Sequence, residues 1–181
     1  MNFKQAHTGN YQKGRNQKIK YIVIHYTANN GDTAASNARY FAGNRVSASA
    51  HYFVDEKEIW QSVADRDTAF HCGAKRYRHP SCRNGNSIGI ELCSRKDSRG
   101  KFYFKEETVN KALDLTRKLM KQYNVDINCI LRHYDVTGKN CPAPFVETNS
   151  LWQKFLNSLR GDDEMEKKIK IKLNGVIKNV N

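Results

Sequence analysis

The chain has 181 residues, 39% of them hydrophobic and 27% charged, so it is long enough for one sizeable globular domain and too short for two ordinary ones. No run of about 18 or more apolar residues occurs, and we therefore expect no membrane span. The formal net charge of +13 predicts attraction to polyanions such as nucleic acid, anionic lipid or an anionic wall polymer.

Charge alone does not choose among these polyanions, but the sequence gives no support for nucleic-acid binding. It contains no zinc finger, no RNA-recognition strand signature and no basic heptad region, and its Lys and Arg residues are spread along the whole chain. We therefore expect no nucleic-acid partner. The alternative hypothesis, a basic nucleic-acid binder, would require salt-sensitive DNA binding.

The N-terminal region is polar. Residues 1–17 are predicted to form an arm on the surface, and residues 1–5 lack the apolar core of a secretory signal. If the substrate lies outside the membrane, another agent would have to deliver the protein. The five cysteines make an odd number, which favours reduced thiols over a disulfide framework. Pairing of Cys72 with Cys82, which share one predicted loop, remains an alternative.

The first part of the chain is predicted to alternate strands with a helix. Residues 18–28 are nearly continuously apolar, as expected of an interior strand that is covered on both faces. After a turn, Asp32 or Thr33 can cap a helix with one apolar face, which ends before a Gly-Asn pair. Residues 50–55 and 58–63 are then predicted to form a hairpin of two strands.

A long loop and a strand with an unusual carboxylate follow. Residues 64–86 show no regular pattern, and loops of this length in compact domains often bind ligands. Residues 87–94 alternate as a strand, with Glu91 on the face opposite three large apolar residues. A carboxylate in such a strand is costly to bury without a partner, so Glu91 either forms a structural ion pair or serves a site.

The second half of the chain leads to its most distinctive segment. Residues 106–123 are predicted to form a long amphipathic helix, and residues 127–132 a strand that ends in a loop. That loop holds His133, Lys139 and Cys141. Imidazole and thiolate are good zinc ligands, and a catalytic zinc takes three protein ligands and keeps a fourth position for water.

The third ligand of such a zinc site has to come from a distant part of the chain. His25, at the end of the first predicted strand, is the best candidate. No compact finger-type ligand pattern is present, so spacing alone leaves another interpretation open, in which His133 ends a strand and Cys141 is a buried free thiol.

The pattern changes near the C-terminus. A final helix is predicted at residues 150–159, an acidic hinge at 161–164, and a hairpin around an Asn-Gly turn within 167–176. We therefore predict one domain at residues 1–160 and a β-prone tail at 161–181. Because a lone hairpin is only marginally stable, the tail is expected to dock on the domain, to pair with another chain as an oligomerisation segment, or to begin a wall-binding or other module.

Four segments of the chain together resemble a known family. They are Tyr-Ile-Val-Ile-His-Tyr-Thr-Ala at residues 21–28, Val-Ser-Ala-Ser-Ala-His-Tyr-Phe-Val-Asp at 46–55, Asn-Ser-Ile-Gly-Ile-Glu at 86–91, and the loop at 133–142. In this order they resemble the zinc-dependent N-acetylmuramoyl-L-alanine amidases, a family that includes phage lysozyme-type amidases and peptidoglycan recognition proteins. The resemblance implies an α/β domain with a central mixed, mostly parallel sheet of about five to six strands flanked by helices.

The resemblance also implies a metal centre and a reaction. Carried over position by position, the ligands of one Zn²⁺ are His25, His133 and Cys141. The reaction is hydrolysis of the amide between N-acetylmuramic acid and L-alanine in bacterial peptidoglycan, with Glu91 as general acid/base and Lys139 stabilising the oxyanion.

Three further residues are implied to border the substrate: His71, His51 and Thr27. His51 also remains an alternative zinc ligand. Some relatives carry a tyrosine immediately before the position of His51, whereas this chain has Ala50, which favours Glu91 as the working acid/base.

The resemblance leaves several functions to be separated. We expect a lytic endolysin or autolysin of the phage endolysin branch, made in the host cytoplasm and acting on the wall after release, with anionic wall polymers as further partners. The alternatives are a cytoplasmic amidase that recycles muropeptides and a non-catalytic recognition module. The presence of Cys141, Glu91 and Lys139 together argues against the recognition module.

Overall fold

The computed structural model describes residues 1–161. The predicted hairpin, nearly all of the predicted hinge, and the rest of the tail at residues 162–181 lie outside the described residues. The division between a catalytic domain and a tail therefore stays a prediction.

The described residues contain ten strands, most of them short. In chain order they are β1 (Asn2–Phe3), β2 (Tyr11–Gln12), β3 (Tyr21–Tyr26), β4 (Tyr52–Val54), β5 (Ile59–Gln61), β6 (Thr68–Ala69), β7 (Ser87–Leu92), β8 (Arg95–Lys96), β9 (Phe102–Tyr103) and β10 (Ile130–Arg132).

Six of these strands form one mixed sheet in the spatial order β1-β5-β4-β7-β3-β10. Every neighbouring pair is parallel except β4 with β5, the predicted hairpin. The strands β2 and β6 pair separately, as do β8 and β9. The expected α/β fold with a mostly parallel sheet is confirmed, and β3 is an interior strand as its apolar run predicts.

The helices flank this sheet. They are α1 (Ala34–Gly43), α2 (Glu106–Tyr123), α3 (His133–Thr137), α4 (Ala143–Glu147) and α5 (residues 149–161). Thr33 caps α1, because its side chain accepts the Ser36 N–H and Ser36 in turn accepts the Thr33 N–H. None of the helices in residues 1–161 combines the length and the apolar character that crossing a membrane requires.

The main core lies on one face of the sheet, under α2 and α5. Alternate residues of β3 and β7 supply its sheet side, and all of them are buried: Ile22, Ile24, Ile88, Ile90 and Leu92. The intervening positions face the other way, which is the alternation predicted for the strand that carries Glu91. His25 and Glu91, paired in register between β3 and β7, therefore share the second face.

Three local predictions need correction. The predicted strand at residues 127–132 begins as a 3-10 helix, Ile127–Cys129, because Asp126 accepts the Asn128 N–H and turns the chain there. His133 opens α3 instead of a loop. Residues 1–17 are not only a surface arm: β1 adds a parallel edge strand to β5, and this pairing is too short to show in a hydrophobic pattern.

Candidate metal centre and cavity

His25 reaches the site because it lies near the carboxyl end of β3, beside Glu91 of β7. Parallel strands β3, β7 and β10 end at the same edge of the sheet, so residues at or just beyond their ends come together. His133 is the first residue after β10, which runs parallel to β3. The sheet therefore joins two histidines that are 108 positions apart in the chain.

The turn from β10 into α3 is held by an ion pair. The guanidinium of Arg132 donates two hydrogen bonds to the carboxylate of Asp135, at 2.8 and 3.1 Å, and the Arg132 backbone N–H donates to the same group at 2.8 Å. Gly138 ends α3 with a φ of 84°, a left-handed conformation that favours glycine. The chain then returns to α3, where the carbonyl of Cys141 accepts the Tyr134 N–H at 2.8 Å.

His25, His133 and Cys141 form a compact group of donors. The Nδ1 atoms of the two histidines are 3.1 Å apart, and the Sγ of Cys141 is 3.7 Å from Nδ1 of His25. All three donor atoms lie within 4.8 Å of one another, and all three residues are buried. Two imidazoles and one thiol that point at one spot are a donor set typical of zinc.

Burial sets the protonation of this group. Burial, together with the charges of neighbouring groups, lowers the pKa of His25 well below its usual value and that of His133 to about 4, so both imidazoles are neutral near pH 7, as metal binding requires. Burial and the nearby Glu91 raise the pKa of the Cys141 thiol to about 12. A metal ion that binds Cys141 as a thiolate must therefore release a proton.

Glu91 stands next to this group, and no lysine or arginine in residues 1–161 forms an ion pair with it. Its Oε1 atom is 4.0 Å from Nδ1 of His25, and its buried Oε2 atom has no hydrogen-bond partner among the described residues. Burial raises the pKa of Glu91 to about 8, against the opposing effect of the Lys139 charge. The surroundings therefore favour a site role for Glu91 over a structural ion pair.

An open cavity of about 770 Å³ lies over the group. Its wall includes most of the residues predicted for the site: His25, His133, Cys141, Glu91, Lys139, His71 and Thr27. Lys139 is exposed two residues after the end of α3, and its charge acts on the three donor residues and on Glu91. Several other wall residues were not predicted for the site, among them Tyr26, Asn29, Asp32, Asn37, Tyr40 and Phe70.

His51 lies behind the cavity wall instead of on it. It is completely buried; its Nδ1 accepts the Gly89 N–H at 3.0 Å, and its Nε2 lies 2.8 Å from the guanidinium of Arg15 and 3.3 Å from the carbonyl of Asp67. Both ring nitrogens are thus engaged by protein atoms, which gives His51 a supporting place rather than contact with a substrate or a metal. No local pattern in the sequence identifies Arg15 as its partner.

The site and the fold together define a class of protein: an α/β domain with a zinc-type His-His-Cys centre beside a buried carboxyl and a lysine. A sequence model of the family described as N-acetylmuramoyl-L-alanine amidase matches residues 15–144. The chain belongs to the N-acetylmuramoyl-L-alanine amidase family.

Individual relatives agree with this assignment. The chain is 38% identical over 161 residues to the amidase CwlL of Bacillus licheniformis, covering 82% of this chain and 44% of the relative, and 36% identical over 157 residues to BlyA of Bacillus subtilis, covering 80% and 42%. It therefore spans less than half the length of these curated relatives.

Solved structures of similar proteins superimpose over most of the chain. PlyL has a TM-score of 0.71 at 27% identity, covering 88% of this chain and 96% of that one. The catalytic domain of XlyA has a TM-score of 0.70 at 28% identity, covering 88% and 99%. The chain thus matches nearly the full length of both solved structures.

Proposed function

We propose that this protein is a zinc-dependent amidase that hydrolyses the bond between N-acetylmuramic acid and L-alanine in peptidoglycan. The observation that carries the proposal is the convergence of His25, His133 and Cys141 beside Glu91 in one open cavity. A structurally similar amidase, AmiD from Escherichia coli, has been solved with anhydro-N-acetylmuramic acid-L-Ala-D-gamma-Glu-L-Lys (TM-score 0.53, 28% identity, 66% of this chain and 50% of that one).

His25, His133 and Cys141 would hold the metal. When bound, zinc supplies Lewis acidity for the scissile carbonyl and the attacking water. The two neutral imidazoles and one thiolate leave the centre with a net positive charge, which this chemistry needs.

Glu91 is the proposed proton carrier. The attacking water has to lose a proton, and the departing amine of L-alanine has to gain one. The carboxyl of Glu91 borders the cavity, and burial raises its pKa. In its ionised form it can accept the proton of the water, and its raised proton affinity lets it hold that proton until the amine leaves. One group can therefore serve both transfers in sequence.

Lys139 is the proposed electrostatic partner of the reacting carbonyl. It lines the cavity, and among the described residues it forms no ion pair with a carboxylate. A free ammonium group at this place can stabilise the negative charge that develops on the carbonyl oxygen.

We expect Lys139→Ala to lower turnover by a factor on the order of 100 or more while zinc stays bound, because Lys139 is not one of the three donors and its charge is proposed to stabilise the transition state. Turnover on purified peptidoglycan and the zinc content of the same sample measure the two effects. Lys121→Ala, at an exposed position of α2, is the matched control and should behave as the unmodified protein. Near-normal turnover of Lys139→Ala would remove this residue from the mechanism.

We further propose that the enzyme is lytic, of the endolysin or autolysin type, and acts on the cell wall. One similar solved structure is described as an endolysin from Bacillus subtilis (TM-score 0.71, 30% identity, covering 87% of this chain and 97% of that chain). The net charge of +13 suits an anionic wall, with wall polymers as additional partners. A muropeptide-recycling amidase is the second candidate, because the cavity is also open to small soluble fragments.

Intact sacculi and soluble muropeptides separate the two candidates. We expect the protein to release new L-alanine amino termini from both substrates and to clear a suspension of sacculi. Release from soluble fragments alone would favour the recycling enzyme. Binding to sacculi without new amino termini would contradict both and would favour a recognition module.

A further inference from the structure

The proposed mechanism does not use a network of buried hydrogen bonds behind His25, which runs through His71 and Ser87 to a backbone carbonyl. We propose that His71 and Ser87 are positioning residues, which fix the tautomer and the ring orientation of His25 so that its Nδ1 lone pair faces the metal position. This inference rests on the proposed zinc site. It assigns to His71 a role toward the metal ligand in addition to its place in the cavity wall.

The donor-to-acceptor direction of these hydrogen bonds follows from the last acceptor, which is a backbone carbonyl. The hydroxyl of Ser87 donates its single proton to the backbone carbonyl of Arg83, at 2.7 Å. Toward Nε2 of His71, 3.0 Å away, the Ser87 oxygen can therefore only accept. A neutral His71 consequently carries its proton on Nε2 and keeps a lone pair on Nδ1.

That lone pair on Nδ1 of His71 determines which ring nitrogen of His25 carries the proton. Nδ1 of His71 lies 3.0 Å from Nε2 of His25, so it accepts a proton from that nitrogen. A neutral His25 then has its free lone pair on Nδ1, the atom that faces His133 and Cys141. Because a backbone carbonyl cannot donate a hydrogen bond, every hydrogen bond of this network points from His25 towards that carbonyl.

The ring of His71 is held in place independently of these bonds. The side-chain oxygen of Asn84 accepts the backbone N–H groups of His71 and Cys72, at 3.2 and 2.8 Å. The ring packs against Gly89 so closely that a Cβ at that position would lie 2.6 Å from Cγ of His71. Glycine in the Ile-Gly-Ile-Glu segment thus makes room for the ring that supports His25.

Two measurements test the proposal. The first is zinc affinity by competition with a chelator, and the second is the ¹⁵N NMR signature of the histidine rings in metal-free protein, which reports the nitrogen that carries the proton. We expect His71→Phe, which removes the acceptor, to weaken zinc binding by a factor on the order of 10 to 100. His25 should then change from a single Nε2–H tautomer to a mixture.

Two further variants separate positioning from general stability. His71→Asn keeps an acceptor near the position of Nδ1 and should retain more zinc affinity than His71→Phe. Ser87→Ala should weaken zinc binding by a factor on the order of 10, because the hydrogen bonds of His71 and His25 then lose their fixed direction. Thr116→Val is the matched control: it removes another completely buried hydroxyl that donates to a carbonyl at 2.7 Å, but within α2, and it should bind zinc normally.

Three results would count against the positioning role of His71 and Ser87 or against the metal centre itself. Normal zinc affinity and a single His25 tautomer in both His71→Phe and Ser87→Ala would overturn the proposal. An equal loss in Thr116→Val and Ser87→Ala, or in His71→Asn and His71→Phe, would also overturn it, since packing would then explain the loss. Failure of the unmodified protein to bind zinc would instead contradict the proposed metal centre, which keeps the two hypotheses distinguishable.

Discussion

Cys141→Ser is expected to lose both zinc and activity. The side chain is buried at the point where it approaches His25, so the replacement hydroxyl would have to give up a far more tightly held proton in the same buried surroundings to become an anionic ligand. We expect zinc affinity to fall by a factor on the order of 100 or more, and turnover to fall with it. Metal content after dialysis and release of L-alanine amino termini measure the two losses.

The control for this variant is another thiol of the same chain. Cys129 lies in the 3-10 helix before β10 and is not part of the donor group. Cys129→Ser should therefore keep zinc and activity. A fully active, zinc-loaded Cys141→Ser protein would contradict the ligand assignment.

Glu91→Gln is expected to separate catalysis from metal binding. The amide has nearly the same shape as the carboxyl but cannot carry the proton between water and the departing amine, so we expect turnover to fall by a factor on the order of 100 to 10,000. Zinc content should stay normal, because Glu91 is not one of the three donors. Steady-state turnover and metal analysis on one preparation test both statements.

Glu107→Gln is the matched control for the same chemical change. Glu107 is exposed in the first turn of α2, and its variant should have normal turnover. If Glu91→Gln retained near-normal turnover, another group would have to be the acid/base.

The same substitution should alter the pH dependence of stability in metal-free protein. The pKa of Glu91 is raised from 4.5 to about 8 on folding, so the folded state holds a proton that the unfolded state releases. Stability relative to Glu91→Gln should therefore decline as pH rises from 4.5 towards 8, and then level off. Urea unfolding of both proteins across this range measures the difference, and parallel curves would contradict the raised pKa.

The sequence predicted the elements that place the donors, because their patterns are strong. The continuous apolar run before His25 correctly predicts an interior strand, and the alternation around Glu91 correctly predicts its face, although the strands span 21–26 and 87–92 instead of 18–28 and 87–94. The register between β3 and β7, which sets these two residues side by side, is a long-range pairing that no local pattern contains.

Most of the contacts that the sequence did not predict join polar residues that are far apart in the chain. Arg15 reaches His51 from a segment expected to lie on the surface, and Ser87 reaches His71 from the start of a strand. Each is an ordinary polar residue in its own segment, and only the folded chain gives it a partner. The glycine of the Ile-Gly-Ile-Glu segment was the one available signal, since a strand glycine often marks the close approach of another group.

The most direct test of the account is hydrolysis of purified peptidoglycan by untreated protein, by chelated protein, and by chelated protein supplied with zinc again. New L-alanine amino termini should appear with the untreated protein, disappear after chelation and return with zinc. Full hydrolysis by a protein shown to be free of metal, or no new amino termini with the zinc-loaded protein, would contradict the proposed zinc-dependent amidase.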